Sequence, residues 1–134
     1  AMGTVRAPAG RFSIGRFGDN RARLLLAKNP AGWAESLLVM ASDPVVLAID
    51  SAIADGTDVS WLWDVEFERL AGRHVICTGP RAQDLAVRLS YAEVDHEVVD
   101  SLREAMARPY EGTVDVLATY TAFLNLCKMG GVEW

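Results

Sequence analysis

Residues Arg23–Ile49 read RLLLAKNPAGWAESLLVMASDPVVLAI, and this stretch decides the fold class. Arg23–Lys28 (RLLLAK) is a short, nearly continuous apolar run, the pattern of a strand buried on both faces. Pro30–Ala41 switches to helical spacing, with Trp33, Leu37, Leu38 and Met40 mostly on one side. Asn29 is a fit N-cap for that helix and Pro30 a fit first residue. Val45–Ile49 (VVLAI) is a second unbroken apolar run. Strand, helix and strand in this order form a βαβ unit, whose two strands run parallel.

The alternation continues outward. Asp50–Ser60 is loop-like, and Asp64–Leu70 reads as a short helix with Asp64 as its N-cap. Arg73–Thr78 (RHVICT) is a third strand, broken by Gly79-Pro80 before a helix over Arg81–Tyr91 with Leu85, Val87, Leu89 and Ala92 on its apolar side. His96–Val99 is a weak fourth strand, Ser101–Ala107 a helix, Thr113–Ala118 (TVDVLA) a fifth strand, and Thr121–Met129 a last helix stopped by Gly130-Gly131. Towards the N-terminus, Arg11–Phe17 offers an extra edge strand. The fold expected is α/β: a Rossmann-like three-layer domain with a mostly parallel sheet of five or six strands and helices on both faces. Residues 1–10 read as a tag remnant and flexible lead-in, and residues 11–134 as one domain isolated from a longer chain.

Composition narrows the function classes. A chain of 134 residues, half of them apolar, fills one core. The net charge of −5 argues against nucleic acid or an anionic membrane as the main partner. No apolar run approaches the roughly 18 residues of a membrane span. Cys77 and Cys127 lie far apart in apolar runs, without a CxxC pair or a Cys/His cluster, so no metal site is expected and both read as reduced core residues. His74 and His96 each begin a strand, and neither assembles with a nucleophile into a triad by pattern. Glu66 and Glu68 are two apart and make a poor carboxylate pair.

In a parallel sheet, ligands meet the loops that follow the strand C-termini. Lys28-Asn29-Pro30-Ala31-Gly32 leaves a strand and opens a helix, so free N–H groups and Lys28 together form a potential anion site; the plainer reading is a capped helix beside a solvent-facing lysine. Thr78-Gly79-Pro80-Arg81 has the same form, with Arg81 either an anion contact or a surface residue paired with Asp84. The Asp50–Asp64 loop is about twice the usual 2 to 6 residues. It carries Asp55, Asp58, Ser60, Trp61, Trp63 and Asp64. By structure alone Asp58 is a turn residue. Of the two tryptophans, one enters the core and the other lies near the surface or under a partner, and aromatics in a polar loop have the composition of an interface anchor.

Taken together, the loops Leu25–Gly32 (LLAKNPAG), Ala54–Glu68 (ADGTDVSWLWDVEFE), Thr78–Leu89 (TGPRAQDLAVRL) and Tyr120-Thr121 resemble the C-terminal domain of MurT proteins, the Mur-ligase-like subunits of lipid II isoglutaminyl synthase. The resemblance implies a Mur ligase C-terminal-like fold. It implies a complex that amidates the α-carboxyl of D-glutamate in lipid II, using ATP and Mg to activate the carboxylate as an acyl phosphate for attack by ammonia. It implies a GatD-like glutaminase partner with a Cys nucleophile and a His, whose triad is completed in trans by Asp58. Trp61, Trp63 and Asp64 are then expected at the partner interface, and Lys28, Asn29 and Arg81 at the ATP and substrate cleft. The family's usual Asn-Asp after the second strand is Ile49-Asp50 here. The P-loop and Cys-rich zinc-binding insertion of the longer proteins are not among these residues, so the isolated domain is expected to bind neither ATP nor metal and to be inactive. The implied location is cytoplasmic, at the inner face of the cell membrane. Two other classes fit the residues: a docking module without chemistry, and a free-standing small-molecule-binding domain using the Gly79-Pro80-Arg81 loop.

Overall fold

A computed structural model describes residues 12–51 and 58–132. The lead-in 1–10, Arg11 at the start of the expected edge strand, and the 52–57 part of the long loop lie outside the described residues. The strands are β1 (Phe12–Phe17), β2 (Asn20–Leu26), β3 (Val45–Ala48), β4 (Val75–Thr78), β5 (His96–Val98) and β6 (Thr113–Ala118). The helices are α1 (Pro30–Val39), α2 (Ala82–Ala92), α3 (Leu102–Ala107) and α4 (Tyr120–Met129). One six-stranded sheet has the order β1-β2-β6-β3-β4-β5, with β1 antiparallel to β2 and every other neighbouring pair parallel.

The continuous apolar runs are the strands buried on both faces. Every residue of β3 and β4 is buried, whereas all three of β5, at the edge, are half-buried. Connection handedness then sorts the helices. The steps β2 to β3 to β4 to β5 all advance in one direction across the sheet, so right-handed crossovers place α1 and α2 on one face. The return from β5 to β6 runs the other way, and the same hand places α3 on the opposite face. The cores agree: Trp33, Leu37, Leu85 and Leu89 pack with Leu62, Phe67 and Leu70 on the first face, and Met106, Phe123 and Leu126 fill the second.

Three local expectations are corrected. The helix expected over Asp64–Leu70 is two separate 3-10 turns, Ser60–Asp64 and Phe67–Leu70. The buried positions of that expected helix, Val65, Phe67 and Leu70, do not follow a 3.6-residue repeat, so no single helix can bury them all. Asp64 therefore ends a turn and caps nothing. On α1, Leu38 is exposed and the inward positions are Trp33, Ser36 and Leu37; on α2, Val87 is exposed and the inward stripe is Ala82, Leu85, Arg88, Leu89 and Ala92.

Two polar clusters pin the sheet. Asp115, buried in β6, accepts from Arg23 Nε at 2.7 Å and from the Ala41 and Ser42 amides at 2.6 and 3.1 Å, tying the segment after α1 to the sheet centre. At the start of β4, His74 lies between two acids, its Nδ1 2.6 Å from Asp95 and its Nε2 2.8 Å from Glu97; Glu97 also meets Arg108 at 3.0 Å. Burial alone would lower the His74 pKa, but the hydrogen bonds to Glu97 and Asp95 outweigh it, and the ring is held charged above its ordinary 6.5. The folded value exceeds the unfolded one, so the stabilisation is complete below 6.5 and is lost as pH rises through the folded value. Urea denaturation is expected to show stability falling as pH rises above 6.5, with a flatter profile for His74→Gln.

Candidate functional site

The carboxyl ends of β2, β6, β3 and β4 lie side by side, and backbone hydrogen bonds continue past the strands to hold their exits together. Ala27 N–H donates to Ala118 O, Thr119 N–H to Ala48 O, Ile49 N–H to Thr78 O and Arg81 N–H to Ile49 O, at 3.1 to 3.2 Å. The helices leaving β2 and β6 go to opposite faces, so these neighbours form the switch point at which open α/β sheets take their ligands.

At the β2 exit, Asn29 caps α1 by accepting from the Gly32 amide at 2.8 Å. Lys28 is exposed, and its Nζ sits 5.4 Å from the ring of Tyr120, the first residue of α4. The fold thus brings the LLAKNPAG and Tyr120-Thr121 stretches into contact. Between them, the Thr119 hydroxyl oxygen accepts from the Asp50 amide at 2.9 Å.

The β4 exit is pressed hard against β3. Gly79 has φ of +94°, and a Cβ there would lie 2.6 Å from the Ile49 carbonyl oxygen. That turn delivers Arg81 to the N-cap of α2, where its Nη1 is 3.4 Å from Asp84, the pairing anticipated as the plainer reading. The Arg81 Nε is buried and has no hydrogen-bond partner among the described residues.

Asp58 is exposed, and its Oδ1 accepts from the Ser60 amide at 2.9 Å in a local turn. The backbone and hydroxyl of Ser60, with Arg81 acting by charge, hold its carboxyl below the ordinary carboxylate value, so it is anionic at neutral pH. The tryptophans divide as the alternation suggests. Trp61 is half-buried, its ring 5.3 Å from the fully buried Trp33. Trp63 is 52 % exposed and meets Tyr91 of α2 edge-on at 5.1 Å. Asp64 is exposed beside it.

Arg88 is the residue that sequence reasoning missed. It is buried in α2, where Nε donates to Leu62 O at 3.0 Å, Nη2 to Val65 O at 2.6 Å, and the guanidinium meets the Glu68 carboxylate at 3.1 Å. A charged residue at i+3 from Leu85 and beside Leu89, within the inward stripe, was the available signal.

Other chemistry is closed off. Burial pushes the Cys77 thiol up to about 12 and raises that of Cys127, so neither is a thiolate nucleophile at neutral pH. Among the described residues, no three His, Cys, Asp or Glu side chains converge as a metal site, and no helix is long and apolar enough to cross a membrane. A cleft of about 540 Å³, lined in part by Arg16, Asp19, Arg103 and Tyr110, opens at the opposite, amino edge of β2. It contains none of the residues singled out from the sequence.

Comparison with known proteins adds the family. A model of the family described as MurT ligase C-terminal matches residues 26–123. The lipid II isoglutaminyl synthase (glutamine-hydrolyzing) subunit MurT of Staphylococcus aureus (strain COL) is 33% identical over 136 residues, covering 93% of this chain and 31% of that protein. The subunit of the same name from Streptococcus pneumoniae (strain ATCC BAA-255 / R6) is 31% identical over 137 residues, covering 92% of this chain and 31% of its own length. The chain therefore spans about a third of the length of these relatives. The family match begins at the end of β2, runs into α4 and so takes in all four strand exits described above: the chain belongs to the MurT ligase C-terminal family.

Proposed function

We propose that this domain works as the C-terminal part of a MurT-type subunit of a lipid II isoglutaminyl synthase, where it docks a GatD-like glutaminase and supplies Asp58 to that enzyme's Cys-His-Asp triad. One observation carries the reading: Asp58 is an anionic, solvent-facing carboxylate whose hydrogen bonding among the described residues is to the neighbouring Ser60, on a segment that leaves the carboxyl edge of the sheet. A carboxylate on the second nitrogen of a catalytic imidazole selects its tautomer, orients the ring and stabilises the imidazolium. An acid that enters no core and makes no ion pair among the described residues is available to do this for another chain.

In the same reading the β2–β6 side of the edge faces the nucleotide and substrate cleft. ATP supplies the phosphoryl group that activates the D-glutamate carboxyl of lipid II. Lys28 has no carboxylate partner among the described residues, so its charge is available to phosphate or carboxylate oxygens. Asn29 spends its Oδ1 on the α1 cap and acts there through the amides it orders. Arg81 is the cation nearest the start of α2. The bulk of the ATP and Mg site belongs to the rest of the longer subunit. The complex operates in the cytoplasm at the inner membrane face, where a lipid-linked precursor is reached.

The exposed Trp63–Tyr91 pair favours a second reading, docking without chemistry, because large aromatics on a surface anchor protein partners. Adding the full-length subunit to a GatD-type glutaminase separates the two. Completion of a triad raises glutamine hydrolysis by about 10-fold or more over the glutaminase alone. Tight association without any rise leaves docking only.

A further inference from the structure

We propose that Arg88 is a positioning residue, which sets the segment carrying Asp58 and Trp63 in its working shape before a partner arrives. The proposal rests on reading Asp58 as a partner-directed carboxylate. Arg88 is 6% exposed, and a charge withdrawn from water to that extent needs full compensation. Among the described residues its acceptors all lie in one short stretch: the carbonyls of Leu62 and Val65, and the carboxylate of Glu68. The flat guanidinium is also within 5.3 Å of the Trp63 ring centroid and 5.4 Å of that of Phe67. Five groups within residues 62–68 of an irregular segment therefore converge on one side chain.

Regular structure cannot do this work here. Leu62 O and Val65 O lie in the first 3-10 turn and the junction after it, where each accepts a single short-range backbone donor, the Val65 amide at 3.4 Å and the Phe67 amide at 3.0 Å. Arg88 gives each carbonyl a second donor from outside the segment, at 3.0 and 2.6 Å, and its planar fork fixes their directions as a lysine would not. From this anchor the chain runs back through Trp61, seated on Trp33, and Val59, packed on the core, to the Ser60 amide that holds Asp58. Outward, the indole of Trp63 is set between the guanidinium and the Tyr91 ring. Asp58 is thus the end of a short tether whose far end is Arg88. Removing the guanidinium loosens Leu62–Phe67 and widens the positions Asp58 samples, which lowers turnover without touching the chemistry of the carboxylate.

The test uses the complete two-subunit enzyme with Arg88→Met and Arg88→Lys. Three quantities are read: amide exchange across residues 60–67, glutamine-driven amidation, and amidation driven by added ammonia, which bypasses the glutaminase. In Arg88→Met, exchange is expected to rise about 10-fold and glutamine-driven kcat to fall about 10-fold, with ammonia-driven amidation unchanged. Arg88→Lys keeps charge and stem, falls between the two and carries the test if the Met variant does not fold. Unchanged exchange, an unchanged glutamine-driven rate, or an equal loss with both nitrogen sources overturns the proposal. Full glutamine-driven activity in Asp58→Asn instead overturns the reading beneath it, and that failure leaves the Arg88→Met exchange signature in place.

Discussion

Asp58→Asn in the assembled enzyme is expected to lower glutamine-driven amidation by roughly 10³- to 10⁴-fold, the scale on which replacing a triad carboxylate by its amide acts. The substitution is nearly isosteric, and an amide oxygen can still accept from the Ser60 amide as Oδ1 does now at 2.9 Å. The turn should therefore survive, and Asp58 makes no ion pair whose loss would unfold anything among the described residues. What disappears is the negative charge. An amide presented to an imidazole nitrogen can donate where the carboxylate only accepts, which favours the wrong tautomer and leaves the imidazolium unstabilised. Ammonia released from glutamine, measured directly, should fall with the amidation rate. Subunit association and ammonia-driven amidation should stay at wild-type levels. Normal glutamine hydrolysis by that variant removes the catalytic role from Asp58.

Gly79→Ala carries the second large effect, this time on stability. The residue has φ of +94°, where an L side chain is strained, and its Cβ would meet the Ile49 carbonyl oxygen at 2.6 Å. That carbonyl cannot retreat, because it already accepts from the Arg81 amide and sits just past the end of β3, the strand between β6 and β4. Backbone strain plus overpacking add to about 3 kcal/mol. For a domain of this size that is a fall in Tm of roughly 10 °C. Asn, which often replaces Gly at left-handed positions, should do no better, since the clash is with Cβ and not with the rest of the side chain. Thermal unfolding of both variants checks this; an alanine variant within 2 °C of wild type, roughly 0.5 kcal/mol, would show that the two strand exits are not locked together.

How much of this was legible beforehand differs by element. Arg23–Lys28, Val45–Ile49 and Arg73–Thr78 announced buried strands because a strand covered on both faces needs apolar residues at every position. Asn29-Pro30 announced its helix because capping is a local transaction among four residues. The short, half-buried β5 was weak in the sequence for the same reason that it is weak in the sheet: it lies at an edge. The misjudged positions share a cause. Leu38 and Val87 are apolar yet exposed, and Ser36 and Arg88 are polar yet inward, so hydropathy pointed to the wrong neighbour on the helix wheel. The expected Asp64–Leu70 helix failed because Val65, Phe67 and Leu70 must all be buried, and their spacing does not put them on one face of a helix.

The sequence by itself determined the order of the strands, four of the five expected helices, a mostly parallel sheet and the stretches singled out for candidate chemistry, because periodicity, caps and turn residues act over a few positions. Only the tertiary structure decided that β6 inserts between β2 and β3, that Lys28 meets Tyr120 and that Arg88 grips the segment after Asp58. Those depend on contacts between residues far apart along the chain, whose energies no local pattern encodes: a buried guanidinium is tolerable only where distant carbonyls have already been brought to receive it.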